Sequence, residues 1–499
     1  MTTVPSDTTA TRSAFAGGGP RFSALLRLAA SGGRSDRLRI ALTAIGAAAA
    51  TVILLAGVAV AFISEGDGPY QLAVLDQPGL RPGVMISMLM LSVPVLVFVG
   101  LCTRVGAPAR DRRLAMFRMA GATPSEATRI AALETGLAAL LGSAVGTAAF
   151  FVGLPLLDST RNDEHTITQA DGSRWGQEGI ARLLPTDVSI PIAAIVGLIL
   201  AIVLGSTVAS VLALRKVRIS PFGVTRTKPP KTPTRTAASM FIIGSGGLVV
   251  LGVTTRTARG VMIPVTLASL VLFVVSIAGL LAGSASISST VGRYLAPRVG
   301  RPDLLIASRR MIAAPYTASR ATASVLLAVM IGGAIQGVRA NFLASVDPAD
   351  TFYADTFRLL DWVLVVAIVL AAASLLVASA EAIVERRRTL AALRAAGTPR
   401  AVLAQAILIE TLVPLVPSVV LAGSAGVLAA RSFLGTTVER LEVFEANGTN
   451  DHIRIGVPIP WERLAVLCGG TITITITIIA LSLVLLRSST KPSELRAAA

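Results

Sequence analysis

The stretch RRTLAALRAAGTP at residues 387–399 repeats an earlier stretch, RRLAMFRMAGATP at residues 112–124. Matching residues in and after the two copies are separated by one constant offset: Arg118 and Arg394, Gly121 and Gly397, and Glu134 and Glu410. Each copy lies between two long apolar stretches. A basic, glycine-containing segment that occurs twice between predicted membrane spans indicates one kind of docking surface that is used twice.

The composition is that of a membrane protein. Of the 499 residues, 53% are hydrophobic and only 15% are charged, whereas about a quarter are charged in a soluble globular protein. Because a span needs about 20 apolar residues, the sequence predicts ten transmembrane helices. They lie at about residues 40–63, 84–103, 130–153, 189–214, 237–254, 261–286, 322–338, 359–384, 402–430 and 464–486. Runs of small residues within them, such as 142–146 and 332–334, predict close helix contacts.

The last predicted span, at residues 464–486, combines a strand-like alternation with the length of a transmembrane helix. The run TITITIT at residues 471–477 alternates like a strand, but it lies inside a long uncharged stretch. An isolated strand in lipid would leave its backbone N–H and C=O groups unpaired. We therefore expect a helix, with the threonine hydroxyls bonded to that helix or to a neighbour.

The distribution of charge predicts an orientation. Of the 45 Lys and Arg residues, 33 fall on one side, together with 7 acidic residues: in residues 1–39, 104–129, 215–236, 287–320, 385–400 and 487–499. The other 12 share the opposite side with 18 acidic residues. Since Lys and Arg favour cytoplasmic loops, we expect a multi-pass protein of the cell membrane with both termini in the cytoplasm.

The net charge of +17 does not predict nucleic-acid binding. The basic residues follow the spans, where they face anionic membrane lipid, and aromatic residues make up only 4% of the chain. Membrane lipid is the expected partner of these residues, and nucleic acid is not.

The repeat divides the chain into four parts. We expect a basic cytoplasmic tail over residues 1–39, a first four-span unit over 40–221, a linker with two spans over 222–321, and a second four-span unit over 322–496. The two units are parallel repeats, because both docking segments face the same side. The fold class is therefore all-α: a polytopic membrane protein of about ten helices, with two parallel four-helix units and two intervening helices.

The two docking segments resemble those of the FtsX-like, or MacB-like, permease family of ABC transporters. In that family a charged run after the second of four spans leads to a Leu-Arg-x-x-Gly core and then to a Glu in the third span. The second copy matches with ERRR at residues 385–388, LRAAG at 393–397 and Glu410. The first copy has FRMAG at residues 117–121 as its core.

The order of four, two and four spans is similar to that of the ten-span permeases of bacitracin-type exporters. Those permeases carry a large extracellular domain between spans seven and eight. In this chain the corresponding loop, at about residues 339–358, is short. The resemblance therefore does not extend to substrate capture by such a domain.

The resemblance implies a membrane subunit that is driven by a separate cytoplasmic ABC ATPase. The chain itself has no Gly-x-x-x-x-Gly-Lys-Ser/Thr loop, since none of its lysines follows a glycine. We therefore expect no enzyme activity and no cofactor in this chain, with ATP and Mg²⁺ bound by the ATPase. Two ATPase copies are expected, because one chain carries both docking segments.

The residues expected to dock the ATPase are Arg112, Arg113, Arg118, Gly121 and Pro124 in the first segment, and Arg387, Arg388, Arg394, Gly397 and Pro399 in the second. In each segment the glycine lets the chain turn and the proline suits the first turn of the next helix. The alternative is that these arginines only anchor the spans to lipid headgroups.

Three acidic residues lie in or at predicted spans: Glu134, Glu381 and Glu410. A charge inside a bilayer usually has a partner or a role. Three interpretations are open: structural pairing with interfacial arginines, transmission of ATPase motion, and a proton or substrate site.

The resemblance implies export of a hydrophobic or amphipathic substrate, such as an antibiotic, a peptide or a lipid, by mechanotransmission. The alternative is an FtsX-type signalling protein that relays the state of the ATPase to an extracytoplasmic partner without transport. A third possibility, an ion-coupled transporter, needs charged or broken helices at the bilayer centre, and the sequence does not predict them.

Overall fold

The ten predicted spans are ten long helices in the computed structural model. It describes residues 34–64, 67, 70, 75, 81–102, 124–158, 160–168, 174–182, 184–215, 235–254, 262–345, 352–444 and 449–483. The long helices are α1 (Arg34–Ala61), α2 (Arg81–Cys102), α3 (Pro124–Leu157), α4 (Ile192–Arg215), α5 (Arg235–Thr254), α6 (Met262–Leu295), α8 (Pro315–Ser345), α9 (Phe352–Glu385), α11 (Arg400–Leu434) and α12 (Trp461–Ser482). Two short helices are α7 (Pro302–Ala313) and α10 (Arg387–Ala395).

The surface of these helices suits hydrocarbon. Within the described residues, eight of the long helices are long and apolar enough to cross a membrane, and α2 and α9 contain shorter apolar segments. On α4, large apolar side chains are exposed at every turn: Ile192, Val196, Leu200, Leu204 and Val208. Soluble proteins rarely expose apolar stripes of this length. The prediction of an all-α, multi-pass membrane protein is confirmed.

In the first unit, α1 and α3 run parallel and in close contact. Gly142 and Gly146 of α3 lie against Ala44 and Ala48 of α1. A Cβ atom at Gly142 would lie only 2.2 Å from the backbone oxygen of Ala44, so only glycine allows this approach. The small residues permit close helix contact here, as predicted.

In the second unit, α8 and α11 repeat this parallel arrangement. Gly333 of α8 faces Gly423 of α11, and a Cβ atom at Gly426 would lie 2.1 Å from the backbone oxygen of Met330. Residues 325–331 of α8 are buried throughout, because α2, α6, α9, α11 and α12 pack around this helix. The predicted span 322–338 is therefore the central part of a longer helix that faces protein more than lipid.

The long helices alternate in direction, which places the connections at two ends of the bundle. Two antiparallel hairpins, β1 (Thr160–Thr168) with β2 (Arg174–Arg182) and β3 (Thr437–Phe444) with β4 (Thr449–Gly456), lie at one end, here called the hairpin end. Each joins the third and fourth long helices of its unit. The opposite end, which carries α7 and α10, is called the α10 end.

The connection between α1 and α2 is fixed at the hairpin end. Tyr70 is fully buried, and its hydroxyl donates to Asp187 Oδ1 at 2.9 Å. Burial, and then the neighbouring Asp187 carboxylate, raise the pKa of Tyr70 far above its ordinary value, so the hydroxyl stays protonated. Arg81 donates to the backbone oxygens of Leu75 and Ile63 at 2.7 and 2.8 Å. The Tyr70 bond holds the connection against the segment that precedes α4, and the Arg81 bonds hold the start of α2 against the connection and the end of α1.

Residues 471–477, whose sequence alternates like that of a strand, form part of a helix. These residues lie in α12, and the hydroxyls of Thr471, Thr473 and Thr477 donate to the backbone oxygens four residues earlier, at 2.7, 2.9 and 3.0 Å. The expected bonding to their own helix is confirmed for these three threonines, whereas Thr475 Oγ1 is buried without a hydrogen-bond partner among the described residues.

Candidate coupling site

The second docking segment forms α10, a short helix between two long ones. Arg386, with φ −98° and ψ 9°, separates α9 from α10. This ψ value departs from that of a regular helix, so the helix is interrupted at Arg386. Helical hydrogen bonding resumes at once, because the backbone oxygen of Arg386 accepts from the N–H of Leu390 at 2.9 Å.

The helix α10 has one buried face and one exposed face. Leu390 packs with Ile383 of α9 and Leu403 of α11 in a small apolar cluster. Burial of a leucine contributes roughly 2 kcal/mol, so this cluster fixes α10 against the spans. The opposite face is exposed at Thr389, Ala392, Ala395 and Ala396, and Arg394, one turn after Leu390, is exposed near the end of the helix. A face of small and basic residues is thus left open at this end of the bundle.

Gly397 ends α10 in a left-handed turn. Its φ is +91°, a conformation that costs other residues about 1–2 kcal/mol. The N–H of Gly397 donates to the backbone oxygen of Arg394 at 3.0 Å, and that of Thr398 donates to Leu393 at 3.1 Å. This pair of bonds is the Schellman C-cap. The predicted turn at Gly397 is thus present, and its conformation is the reason for glycine there.

Glu410 joins three elements at this end of the bundle. It lies on α11 and is almost completely buried. Nη1 of Arg386, at the α9–α10 break, donates to Oε1 at 3.2 Å and to Oε2 at 3.4 Å. Nε of Arg310, on α7, lies 3.3 Å from Oε2. One carboxylate is thus shared by two guanidinium groups, an arrangement that we call the Glu410 triad.

The helix α7 brings Arg310 to this triad. Ala307 and Met311, one turn apart on its buried face, pack with Ala406 of α11. Its backbone also approaches α6, since a Cβ atom at Gly292 would lie 2.8 Å from the backbone oxygen of Ser308. The triad therefore links α10, α11 and the connection from α6 to α8.

A small cavity lies beside the triad. Its volume is about 50 Å³, which has room for a few water molecules. Arg310, Arg386 and Glu410 line it, together with polar Ser379 and Thr411. The charged groups therefore border a space that can hold water.

The predicted site residues of the second segment have distinct positions. Arg394 is exposed, and its Nη1 donates to the backbone oxygen of Thr398 at 3.1 Å, so it also stabilises the turn. Pro399 is the residue before α11 rather than part of its first turn. Arg387 and Arg388 lie in α10 and Glu381 lies in α9, but their side chains lie outside the description.

Most of the first docking segment lies outside the described residues: Arg112, Arg113, Arg118 and Gly121. Pro124 is the first residue of α3, where a proline suits the helix start. Glu134 is buried on α3, as Glu410 is on α11. Next to it, Thr135 donates to Ser210 Oγ of α4 at 3.2 Å.

Sequence reasoning did not single out Arg310 and Arg386, although it named pairing with interfacial arginines for Glu410. A signal for Arg386 was its place in the ERRR run that begins the second segment. A signal for Arg310 was the spacing of Ala307 and Met311, which gives a short amphipathic helix within the predicted loop 287–320. The predicted connection 287–320 contains α7, a helix of 12 residues that is too short to span a membrane.

Two stretches of the chain, residues 84–222 and 362–491, match the family described as FtsX-like permease C-terminal. Together they cover more than half of the chain, and each extends from the second long helix of a unit to the end of its fourth. No curated protein sequence matches the chain. The double match corresponds to the two structural units and confirms the predicted relationship. The chain therefore belongs to the FtsX-like permease family, which indicates the membrane subunit of an ABC transporter with an ABC ATPase as its partner.

Proposed function

We propose that the chain couples a separate ABC ATPase to export of a hydrophobic or amphipathic substrate. The observation that carries the proposal is α10: its apolar face is packed on the spans, its other face is exposed, and its first residue follows Arg386 of the Glu410 triad. A helix held in this way transmits a push on its exposed face to α9, α11 and α7. The ATPase itself binds ATP and Mg²⁺.

The proposed movement involves the second and third long helices of each unit. ATP binding closes a pair of ATPase subunits, and each subunit displaces one docking segment. In the second unit the displacement reaches α9 through Arg386 and α11 through Glu410. The first segment has the same place between α2 and α3, so we infer that one chain serves two ATPase copies.

The charge distribution supports one orientation. We propose that the α10 end faces the cytoplasm, together with both termini, and that the chain lies in the cell membrane. The exposed apolar stripes then contact lipid, and the basic loops contact lipid headgroups.

A second function is favoured by one observation. Each unit carries a β-hairpin at the hairpin end, and such a hairpin offers an ordered surface to an extracytoplasmic protein. In that case the same movement would relay the state of the ATPase to this protein without transport. A purified complex that hydrolyses ATP but moves no candidate antibiotic, peptide or lipid would favour relay over export.

An added charge on the exposed face of α10 tests the docking. We expect the Ala392→Glu variant to retain less than a tenth of the ABC ATPase that copurifies with the wild-type chain. Glutamate keeps the helix propensity high, but an unpaired carboxylate inside an interface costs several kcal/mol. The measurement is the ATPase-to-permease ratio after affinity purification from membranes.

Gly300→Glu is the matched control, because it adds the same carboxylate at the α10 end but outside the docking segment. Gly300 is exposed in the turn that precedes α7, and an added Cβ atom there would meet nothing within 4 Å. This variant should retain the ATPase like the wild type. If the Ala392→Glu variant retains the ATPase normally, and both variants are equally well folded on size-exclusion chromatography, α10 is not the docking surface.

A further inference from the structure

A cavity of about 400 Å³ lies at the hairpin end of the second unit, far from the Glu410 triad. Its walls come from α8, α12, β4 and the segment that joins the last two. The lining residues are Gln336, Arg339, Ala340, Leu343, Ala344, Ile455, Pro458, Pro460 and Arg463. This site plays no part in the proposed docking of the ATPase.

One wall of the cavity carries an excess of positive charge. Asp361 of α9 accepts hydrogen bonds from Nη1 of Arg339 at 2.7 Å and from Nη1 of Arg463 at 3.4 Å. Among the described residues, the hydrogen-bonded cluster thus has two guanidinium groups and one carboxylate. The Arg339 side chain is only 11% exposed, so its charge has little contact with solvent. A further anion in the cavity would balance this cluster.

Gln336 adds a hydrogen-bond acceptor without a partner. Its Nε2 donates to Asp361 Oδ1 at 2.8 Å, which fixes the orientation of the amide because a carboxylate only accepts. Its Oε1 is buried and has no hydrogen-bond partner among the described residues. Buried polar atoms are nearly always paired. A ligand in the cavity would therefore present an O–H or N–H donor next to its anionic group.

The remaining wall is apolar. Leu343, Ala344 and Ile455 line it, so a ligand there meets hydrocarbon on one side and charge on the other. Trp362, next to Asp361, and Trp461, at the start of α12, are 66% and 67% exposed. Exposed tryptophans mark the level of the lipid headgroups. The cavity thus lies at the depth where an amphiphile has its headgroup.

We propose that this cavity binds the anionic headgroup of a membrane amphiphile that also carries a hydroxyl or amine donor. Arg339 and Arg463 hold the anion, Gln336 Oε1 accepts from the donor, and the apolar wall contacts the start of the hydrocarbon chain. The binding rests on these residues alone. Only the identification of the amphiphile as the exported or sensed molecule rests on the proposed function.

Native mass spectrometry of the purified full chain, without ATPase or nucleotide, tests the binding. The probes are phosphatidylglycerol, whose headgroup has a phosphate and two hydroxyls, and phosphatidylcholine, which has no donor. We expect one phosphatidylglycerol to be retained about tenfold more strongly than phosphatidylcholine. Arg463→Gln, at an exposed and tolerant position, and Gln336→Leu, which removes the acceptor at similar volume, should each abolish the difference.

Arg454→Gln is the matched control. Arg454 is an exposed arginine that precedes the lining residue Ile455 on β4, so its side chain points to the other face of the strand. This variant should keep the preference for phosphatidylglycerol. An equal preference in wild type, Arg463→Gln and Gln336→Leu would overturn the proposal, as would displacement of bound phosphatidylglycerol by millimolar glycerol 3-phosphate, which would identify the ligand as a soluble anion.

A failure of the proposed lipid binding can be distinguished from a failure of the proposed ATPase docking, because each is tested by a different variant. Retention of phosphatidylglycerol by the Ala392→Glu variant shows that the cavity works without docking. Normal retention of the ATPase by Arg463→Gln shows the reverse.

Discussion

A single methyl group at Gly426 is expected to disrupt the second unit. In the Gly426→Ala variant the new Cβ atom would lie 2.1 Å from the backbone oxygen of Met330 and 2.6 Å from the backbone nitrogen of Ala334. Both are backbone atoms, so no side-chain rotation relieves the overlap and α8 must move away from α11. Overpacking of a core costs typically 1–3 kcal/mol, and we expect the upper end, about 3 kcal/mol. The midpoint of thermal denaturation should fall, measured as loss of the monodisperse size-exclusion peak after heating.

Gly469→Ala is the matched control for this variant. Gly469 lies on α12 and has nothing within 4 Å of an added Cβ atom. Alanine is a better helix former than glycine by about 1 kcal/mol, so this variant should be as stable as the wild type or more so. If both variants denature at the same temperature, α8 and α11 do not approach as closely as described.

Removal of the Glu410 carboxylate should have the second large effect. The Glu410→Ala variant leaves Arg310 and Arg386 without their shared counterion. Loss of one partner from a buried ion pair costs about 3–5 kcal/mol. Since the two arginine side chains are 26% and 24% exposed, water compensates in part and we expect about 3 kcal/mol. Thermal denaturation in detergent measures this loss of stability.

The same variant separates binding from coupling. The exposed face of α10 is unchanged in this variant, so the ATPase should still copurify with it. However, the rate of ATP hydrolysis in the complex should no longer differ from the rate of the ATPase alone. Glu462→Ala is the control, because Glu462 is an exposed glutamate in the first turn of α12 at the hairpin end. If Glu410→Ala and Glu462→Ala have the same thermal stability and the same change in ATP hydrolysis rate, the Glu410 triad neither stabilises the protein nor couples it to the ATPase.

The long helices were predictable because each needs a continuous apolar stretch. All ten predicted spans coincide with helices, and α12 is helical over TITITIT because lipid leaves no alternative pairing for its backbone. The ends of the helices were less predictable. The helix that contains the predicted span 359–384 begins at Phe352, because a helix can continue beyond its apolar stretch through charged residues such as Asp355 and Arg358, which an apolar pattern does not mark. The boundary between residues 221 and 222 lies outside the described residues and stays a prediction.

The candidate site was predictable only in part. The repeated segments gave the position of α10, the turn at Gly397 and the importance of Glu410. The pairing of Glu410 with Arg310 depends on how α7 packs against α11, a tertiary contact that the apolar spacing on α7 does not specify by itself. The cavity at the hairpin end is likewise formed by residues distant in sequence, such as Gln336 and Arg463. Local sequence patterns therefore predicted the helices and turns. The arrangement of the site depends on packing between distant helices, which those patterns do not predict.

Site-specific photocrosslinking in intact cells tests the central claim, that an ABC ATPase docks on α10, most directly. A benzoylphenylalanine residue is introduced at Ala392, on the exposed face of α10, or at Trp461, which is exposed at the hairpin end. We predict that irradiation joins the permease to the ATPase from position 392 and gives no such product from position 461. A crosslink from position 461, with none from position 392, would contradict both the docking surface and the proposed orientation.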